Sequence, residues 1–201
     1  MVHGAWSTKT CFNYLTQKAL DHGGVGKIHY FEYDCQKEHS VDLLRRAHEE
    51  YDTVSENGLD TIIVGHSLGG ILAMYLAKYD NVHRVITLAA PLSGITSLNN
   101  FVHYFLVIAA PIFRCLQPKS AFIKDLHEQD YTGKDIDVLV ACAGFNVAMP
   151  NEPSDGTISI ASQNEWLPDN ANVQMVKSNH HEILQSAEAV LALERALEAT
   201  P

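Results

Sequence analysis

Residues 60–64 read DTIIV and run directly into Gly65-His66-Ser67-Leu68-Gly69-Gly70, after which an apolar stretch continues to Tyr79. Few folds accommodate that order. A short β-branched run of this kind suits a strand buried on both faces of a parallel sheet. The stretch from Leu68 to Tyr79 predicts a largely apolar helix. The chain therefore has to turn sharply from strand to helix, with Ser67 at the apex. Such a turn strains the backbone of its central residue and brings its neighbours close to adjacent chain. Gly65 and Gly69, two residues to either side, avoid the clash that a Cβ would create. The Ser67 hydroxyl then stands exposed at a helix N-terminus. There the helix dipole and the free N–H of Leu68 favour developing negative charge. This is the G-x-S-x-G pattern in the strand–turn–helix context that gives it meaning. The bland alternative is a Gly-rich turn with an N-cap serine. A phosphate loop is a weaker rival, because no G-K-[ST] follows.

The rest of the chain repeats the strand–helix alternation. Thr10 to His22 has helical spacing and ends at Gly23-Gly24, and Lys27 to Tyr33 (KIHYFEY) alternates like a strand. Ser40 is placed to cap a helix that stops near Gly58. Val82 to Ala89, Ile136 to Ala143 and Asn172 to Val176 predict further strands, and Ser186 begins a closing helix. Strands alternating with helices imply an α/β fold: one domain over 1–201 with a mostly parallel sheet covered by helices on both faces. Ligands of such sheets bind beyond the carboxyl ends of the strands. The segment from about Leu92 to Asp130 breaks the rhythm with the apolar run FVHYFLVIAAPIF. It is either an extra core helix or two, or a small helical cap lining a pocket, and the two are compatible.

Composition narrows the class. The chain has 201 residues and a formal net charge of −10, from 24 acidic against 14 basic side chains. An acidic surface repels phosphate backbones, so nucleic acid is not an expected partner. Cys11, Cys35, Cys115 and Cys142 are widely spaced and read as free thiols. The opening Met-Val-His-Gly shows no signal peptide, and the longest apolar run is too short to span a bilayer. The expectation is a soluble, cytoplasmic protein with no integral membrane segment.

A serine nucleophile needs a base within hydrogen-bond reach and an acid to orient that base, in the chain order Ser, acid, His for this arrangement. His180-His181 lies between the last strand and the last helix, at the active edge of the sheet. His180 is preferred because Ile183 and Leu184 would anchor the following turn, and His181 is the alternative. His127 and His103 lie in the insert. For the acid, Asp155 in the turn Pro153-Ser154-Asp155-Gly156 is best placed, with Glu152 and Asp169 as rivals. Acyl transfer also needs two N–H donors for an oxyanion. Leu68 supplies one. Ala5, in His3-Gly4-Ala5-Trp6, is the natural second, with His3 bonding nearby backbone. Trp6 and His66, beside these donors, are expected to touch the substrate. Phe101, Tyr104, Phe105 and Ile108 would form an acyl-binding wall.

Together VHGAW, GHSLGG, AAPLSG, SAFIKDL, SDGTISIASQ and NHHEIL resemble the lipase-like branch of the α/β-hydrolase superfamily, over nearly the whole chain and in the correct order. The resemblance implies Ser67, Asp155 and His180 as the triad, Ala5 and Leu68 as oxyanion donors, and no metal or organic cofactor. One departure stands out. In the family the His-Gly loop follows a full strand, whereas here only Met1 and Val2 precede His3, so a strand shortened at its start is expected, with fewer ladder hydrogen bonds. The leading function is an esterase or lipase acting on small acyl esters. A thioesterase or amidase would use the same triad, and a non-catalytic acyl-binding protein is the reading from a different class.

Overall fold

The computed structural model describes residues 1–55, 59–95, 111–145 and 151–199. Four parallel strands form the sheet, β1 (Thr61–His66), β2 (Val82–Leu88), β3 (Asp135–Ala141) and β4 (Ala171–Val176), in that spatial order. Helices α1 (Asn13–His22), α2 (Ser40–Val54), α3 (Leu68–Leu76), α4 (Ala121–His127), α5 (Ile160–Asn164) and α6 (Ala187–Glu198) surround it.

Strand side chains alternate between two apolar cores. Ile136, Val138 and Val140 of β3 join the core with α2, α3 and α4, while Leu139 and Ala141 join the core with α1 and α6. Burial on both faces explains why β1 and β3 read as nearly continuous apolar runs, whereas β4, at the end of the strand order, is largely exposed. Helix α3 is buried along its whole length, from Leu68 to Leu76, which accounts for its lack of a polar face. Ser186 caps α6 by accepting a hydrogen bond from the Ala189 amide at 3.1 Å.

Three expectations need correction. Lys27 to Tyr33 does not form a strand. Only Phe31 pairs, in a bridge with Val2, which also bridges Gly65 on its other side. The neighbour it would pair with is itself one bridge long, so the local alternation finds no ladder to join. Ser40 is the first residue of α2 and not its cap; its hydroxyl donates to Cys115 Sγ at 2.8 Å. Helix α3 ends at Leu76, three residues before the expected limit.

Beside β1, between it and residues 24–31, lies a largely apolar cavity of about 550 Å³, lined among others by Val2, Ile28, Val54, Ile62 and Leu193. Ser67, Asp155 and His180 do not line it. In the 92–130 segment, the described part packs as core: Ile112, Leu116, Ile123 and Leu126 are buried, and Ser120 caps α4 through the Ile123 amide. The proposed acyl wall, Phe101, Tyr104, Phe105 and Ile108, lies outside the described residues. No helix among the described residues is long and apolar enough to cross a membrane.

Candidate active site

Ser67 sits between β1 and α3 with φ 54° and ψ −125°, in the left-handed half of backbone space that side chains disfavour. Its amide donates to the Leu88 carbonyl at 2.9 Å, which ties the apex to the end of β2. A Cβ on Gly69 would strike the Val2 and His3 carbonyls, and one on Gly65 would strike Gly69. The glycines at this turn are therefore required by close approach, as the spacing implied. The Ser67 hydroxyl makes no hydrogen bond to any described residue, and the residue is 9% exposed. A bond between nucleophile and base often tightens only when substrate is bound.

The loop after Val2 lies directly over the serine. A Cβ on Gly4 would come within 2.9 Å of Ser67 Cβ and 3.1 Å of His66 Nδ1. His3 is buried, its Nδ1 is 2.7 Å from the Gly4 carbonyl, and its Nε2 accepts the Tyr33 amide at 3.3 Å. That pairing puts the ring proton on Nδ1. Burial pushes the His3 pKa down, against the opposing pull of the Gly4 carbonyl. Tyr33 stacks on the ring at 4.4 Å and donates its hydroxyl to the His3 carbonyl at 2.7 Å.

The Trp6 amide is spent on Cys35 Sγ at 3.4 Å. The Ala5 and Leu68 amides have no acceptor among the described residues. Two unspent donors beside a serine can receive an oxyanion. Trp6 itself is 53% exposed and stacks on Phe113 with ring centroids 4.9 Å apart.

Asp155 is fully buried in the turn after β3. Its Oδ1 accepts the Thr157 and Ile158 amides at 2.8 and 2.7 Å. Its Oδ2 accepts Gln163 Nε2–H at 3.2 Å and His180 Nδ1–H at 2.6 Å. Four donors thus converge on one carboxylate. The rivals Glu152 and Asp169 are exposed.

His180 is 4% exposed and follows the end of β4, where the Ala143 amide donates to the Ser178 carbonyl and holds the loop to the sheet. With Nδ1–H fixed on Asp155, its Nε2 is left as the basic nitrogen. His181 is exposed and its ring meets His180 edge-on at 5.4 Å. Burial and the neighbouring His180 lower the His181 pKa. His127 Nε2 lies 2.8 Å from the Leu92 carbonyl, and its ring stacks on Trp166. His103 lies outside the described residues.

The structure places His66 differently from the expected substrate contact. It is 2% exposed, and its Nε2 is 2.7 Å from the His180 carbonyl. As the last residue of β1 it turns beneath the His180 loop and away from open space. Burial, the neighbouring His180 and other histidines push its pKa down to about 3, against the opposing pull of the carbonyl.

Gln163 was not singled out by sequence reasoning. It is fully buried; its Oε1 accepts the Ala141 amide at 2.9 Å, and its Nε2 donates to the Ala141 carbonyl and to Asp155. The signal for it was its place at the end of SDGTISIASQ, where a polar side chain on a short helix can reach back to the acid. Among the described residues no cluster of three or more His, Cys, Asp or Glu could hold a metal ion.

Comparison with known proteins adds the family. The sequence profile of the alpha/beta hydrolase family matches residues 1–189. No curated protein matches by sequence. Among solved structures, phospholipase PlaB from Legionella pneumophila superposes with a TM-score of 0.74 at 15% identity, covering 99% of this chain and 59% of that one. The chain thus spans about three-fifths of the phospholipase. Bacillus licheniformis lipase BlEst2 in its mature form gives 0.68 at 18% identity, covering 98% and 89%. Paleococcus ferrophilus monoacylglycerol lipase gives 0.59 at 16%, covering 98% and 91%. At these identities the likeness is one of fold. With the profile match over nearly the whole length, the chain belongs to the alpha/beta hydrolase family.

Proposed function

We propose that this protein is a serine hydrolase that cleaves acyl esters through an acyl-enzyme on Ser67. The observation that carries the reading is the 2.6 Å bond from His180 Nδ1 to the buried Asp155 Oδ2, at the same sheet edge as a strained serine. That bond fixes the tautomer in which Nε2 can take a proton.

Ser67 Oγ attacks the ester carbonyl carbon as His180 Nε2 removes its proton. The carbonyl oxygen becomes an oxyanion held by the Ala5 and Leu68 amides. Collapse of the intermediate breaks the bond to the alcohol oxygen, which takes the proton from His180. Water then attacks the acyl-enzyme, giving its proton to His180; collapse breaks the acyl bond to Ser67 Oγ, which takes that proton from His180 as the carboxylic acid leaves. Asp155 stabilises the imidazolium at each stage without itself being protonated.

The substrate class rests on two supports. The segment 92–130 supplies an apolar run, and the three structural relatives are named as a phospholipase, a lipase and a monoacylglycerol lipase. Both favour acyl esters, lipids among them. A fluorophosphonate probe tests the nucleophile: covalent labelling is expected on Ser67 and absent from Ser67→Ala. Labelling elsewhere, or none, overturns the proposal. A panel of p-nitrophenyl esters and acyl-thioesters reads the substrate class, and preferential thioester turnover would replace ester by thioester.

A further inference from the structure

We propose that His66 is the positioning residue for the base: its Nε2–H holds the His180 carbonyl and thereby sets where the imidazole stands relative to Ser67. This inference rests on the reading of Ser67, Asp155 and His180 given above.

His66 immediately precedes Ser67 in the chain, and its side chain reaches His180 across 114 residues of sequence to a 2.7 Å contact. A carbonyl oxygen only accepts, so the proton lies on His66 Nε2. Nucleophile and base are thus joined directly by one peptide unit and one hydrogen bond. This short link adds to the longer path through β2, β3 and β4, which Leu88 and Ala143 tie to the same loops. Both residues are buried, so water does not compete for the carbonyl. The two rings lie 4.8 Å apart at 51°, which leaves the His180 loop little room to slide.

The His180 residue is then held from separate directions. Asp155 fixes its amide and its Nδ1, through bonds of 2.9 and 2.6 Å. His66 fixes its carbonyl. Only the Nε2 edge remains uncommitted, and that is the edge needed for proton transfer.

The arrangement carries a cost that an apolar residue would not. His66 Nδ1 is buried with no hydrogen-bond partner among the described residues. A buried unpartnered acceptor is unfavourable. Filling space between the loops needs no nitrogen at all, so the Nε2–H is the feature that distinguishes imidazole from a ring of the same size. The bond also has to be made by a neutral group, because His180 gains a positive charge in each half-reaction. The pKa of about 3 keeps His66 uncharged beside it at neutral pH.

The test compares His66→Phe, which keeps a ring and loses the donor, with His66→Gln, whose Nε2 can donate to the same carbonyl. Wild-type turnover of a p-nitrophenyl ester and labelling of Ser67 by a fluorophosphonate are measured first; failure of both overturns the hydrolase reading itself. With an active wild type, kcat in His66→Phe is expected to fall about thirtyfold with KM within twofold, as small misplacements of a base produce. His66→Gln is expected to recover kcat to within about fivefold of wild type, since the bond is restored. A kcat within twofold of wild type in His66→Phe, or no recovery in His66→Gln, overturns the inference. Should His66→Phe not fold, ¹⁵N-histidine NMR of the wild type decides. The His66 Nε2–H resonance is expected to shift when Ser67 is phosphonylated, and an unmoved resonance overturns the inference.

Discussion

Asp155 holds His180 twice. Its main-chain carbonyl accepts the His180 amide at 2.9 Å, and its Oδ2 accepts the ring Nδ1–H at 2.6 Å. The first bond places the loop and the second fixes the tautomer. The two can be separated by substitution, because Asp155→Asn keeps the main chain and the shape while offering the ring an amide. The expected result is a loss in kcat of about 10⁴, from the wrong tautomer. Urea unfolding should shift much less than in Asp155→Ala, which leaves the buried Ile158 amide without its carboxylate acceptor, at about 1–3 kcal/mol. Equal loss of stability in both variants would assign the side chain a purely structural role.

Gln163 stands directly behind Asp155. It pairs with both main-chain polar groups of Ala141 and still donates to Asp155 Oδ2. Gln163→Leu fills the space but leaves the Ala141 amide and carbonyl unpaired. Destabilisation of roughly 2–4 kcal/mol is expected, with a fall of about tenfold in kcat among molecules that remain folded. Gln163→Glu sets a second carboxylate against Asp155 and should be worse in both respects. Chemical denaturation and ester turnover, measured on the same preparations, check both.

The strain at Ser67 gives a prediction that reads stability and function in opposite directions. With φ at 54°, a side chain here costs about 1–3 kcal/mol relative to glycine. Ser67→Gly relieves that strain but adds backbone entropy to the unfolded chain, about 0.5–1 kcal/mol. Ser67→Gly should therefore unfold later than Ser67→Ala, by about 1 kcal/mol. Both should resist fluorophosphonate labelling. If Ser67→Ala proves the more stable of the two, the turn is not strained.

Much of this site was legible in the sequence, for reasons that differ by residue. Gly65, Ser67 and Gly69 were readable because close packing at one turn dictates all three within five positions. Asp155 and His180 were readable because each follows a strand, and strand ends of a parallel sheet converge on one edge. Gln163 and the true place of His66 were not readable, since their roles lie in contacts across 22 and 114 residues that no local pattern encodes. The expected strand at 27–33 failed for a related reason. Alternation in KIHYFEY reports side-chain environment, and Phe31 and Tyr33 do share a stacked face, but a strand also needs a partner of matching length.

The depressed pKa of His66 makes stability depend on pH with a definite sign. In the unfolded chain the ring titrates near 6.5, and in the folded protein near 3. Between these values the unfolded state binds the extra proton, so stability rises with pH. The contribution is complete above about 6.5 and is lost as pH falls toward 3, at up to about 1.4 kcal/mol per pH unit. Carboxylates titrate in the same range, so the diagnostic quantity is the difference between wild type and His66→Gln. Urea unfolding at pH 7.5, 6, 5 and 4 should show a shallower pH dependence in the variant. Parallel curves would place the titration elsewhere.

Gly4 tests the oxyanion loop without touching a donor or a titrating group. A methyl at this position would stand 2.9 Å from Ser67 Cβ and 3.1 Å from His66 Nδ1. Neither neighbour can retreat, because Ser67 is tied to β2 and His66 to the His180 carbonyl. The loop after Val2 must move instead, and the Ala5 amide moves with it. A displaced donor weakens binding of the oxyanion, which exists only along the reaction path, more than binding of the substrate. Gly4→Ala should therefore lower kcat by about 10–10³-fold with KM changed no more than threefold, and fluorophosphonate labelling should slow in proportion. A variant that loses KM and keeps kcat would show that this loop binds substrate and does not stabilise the oxyanion.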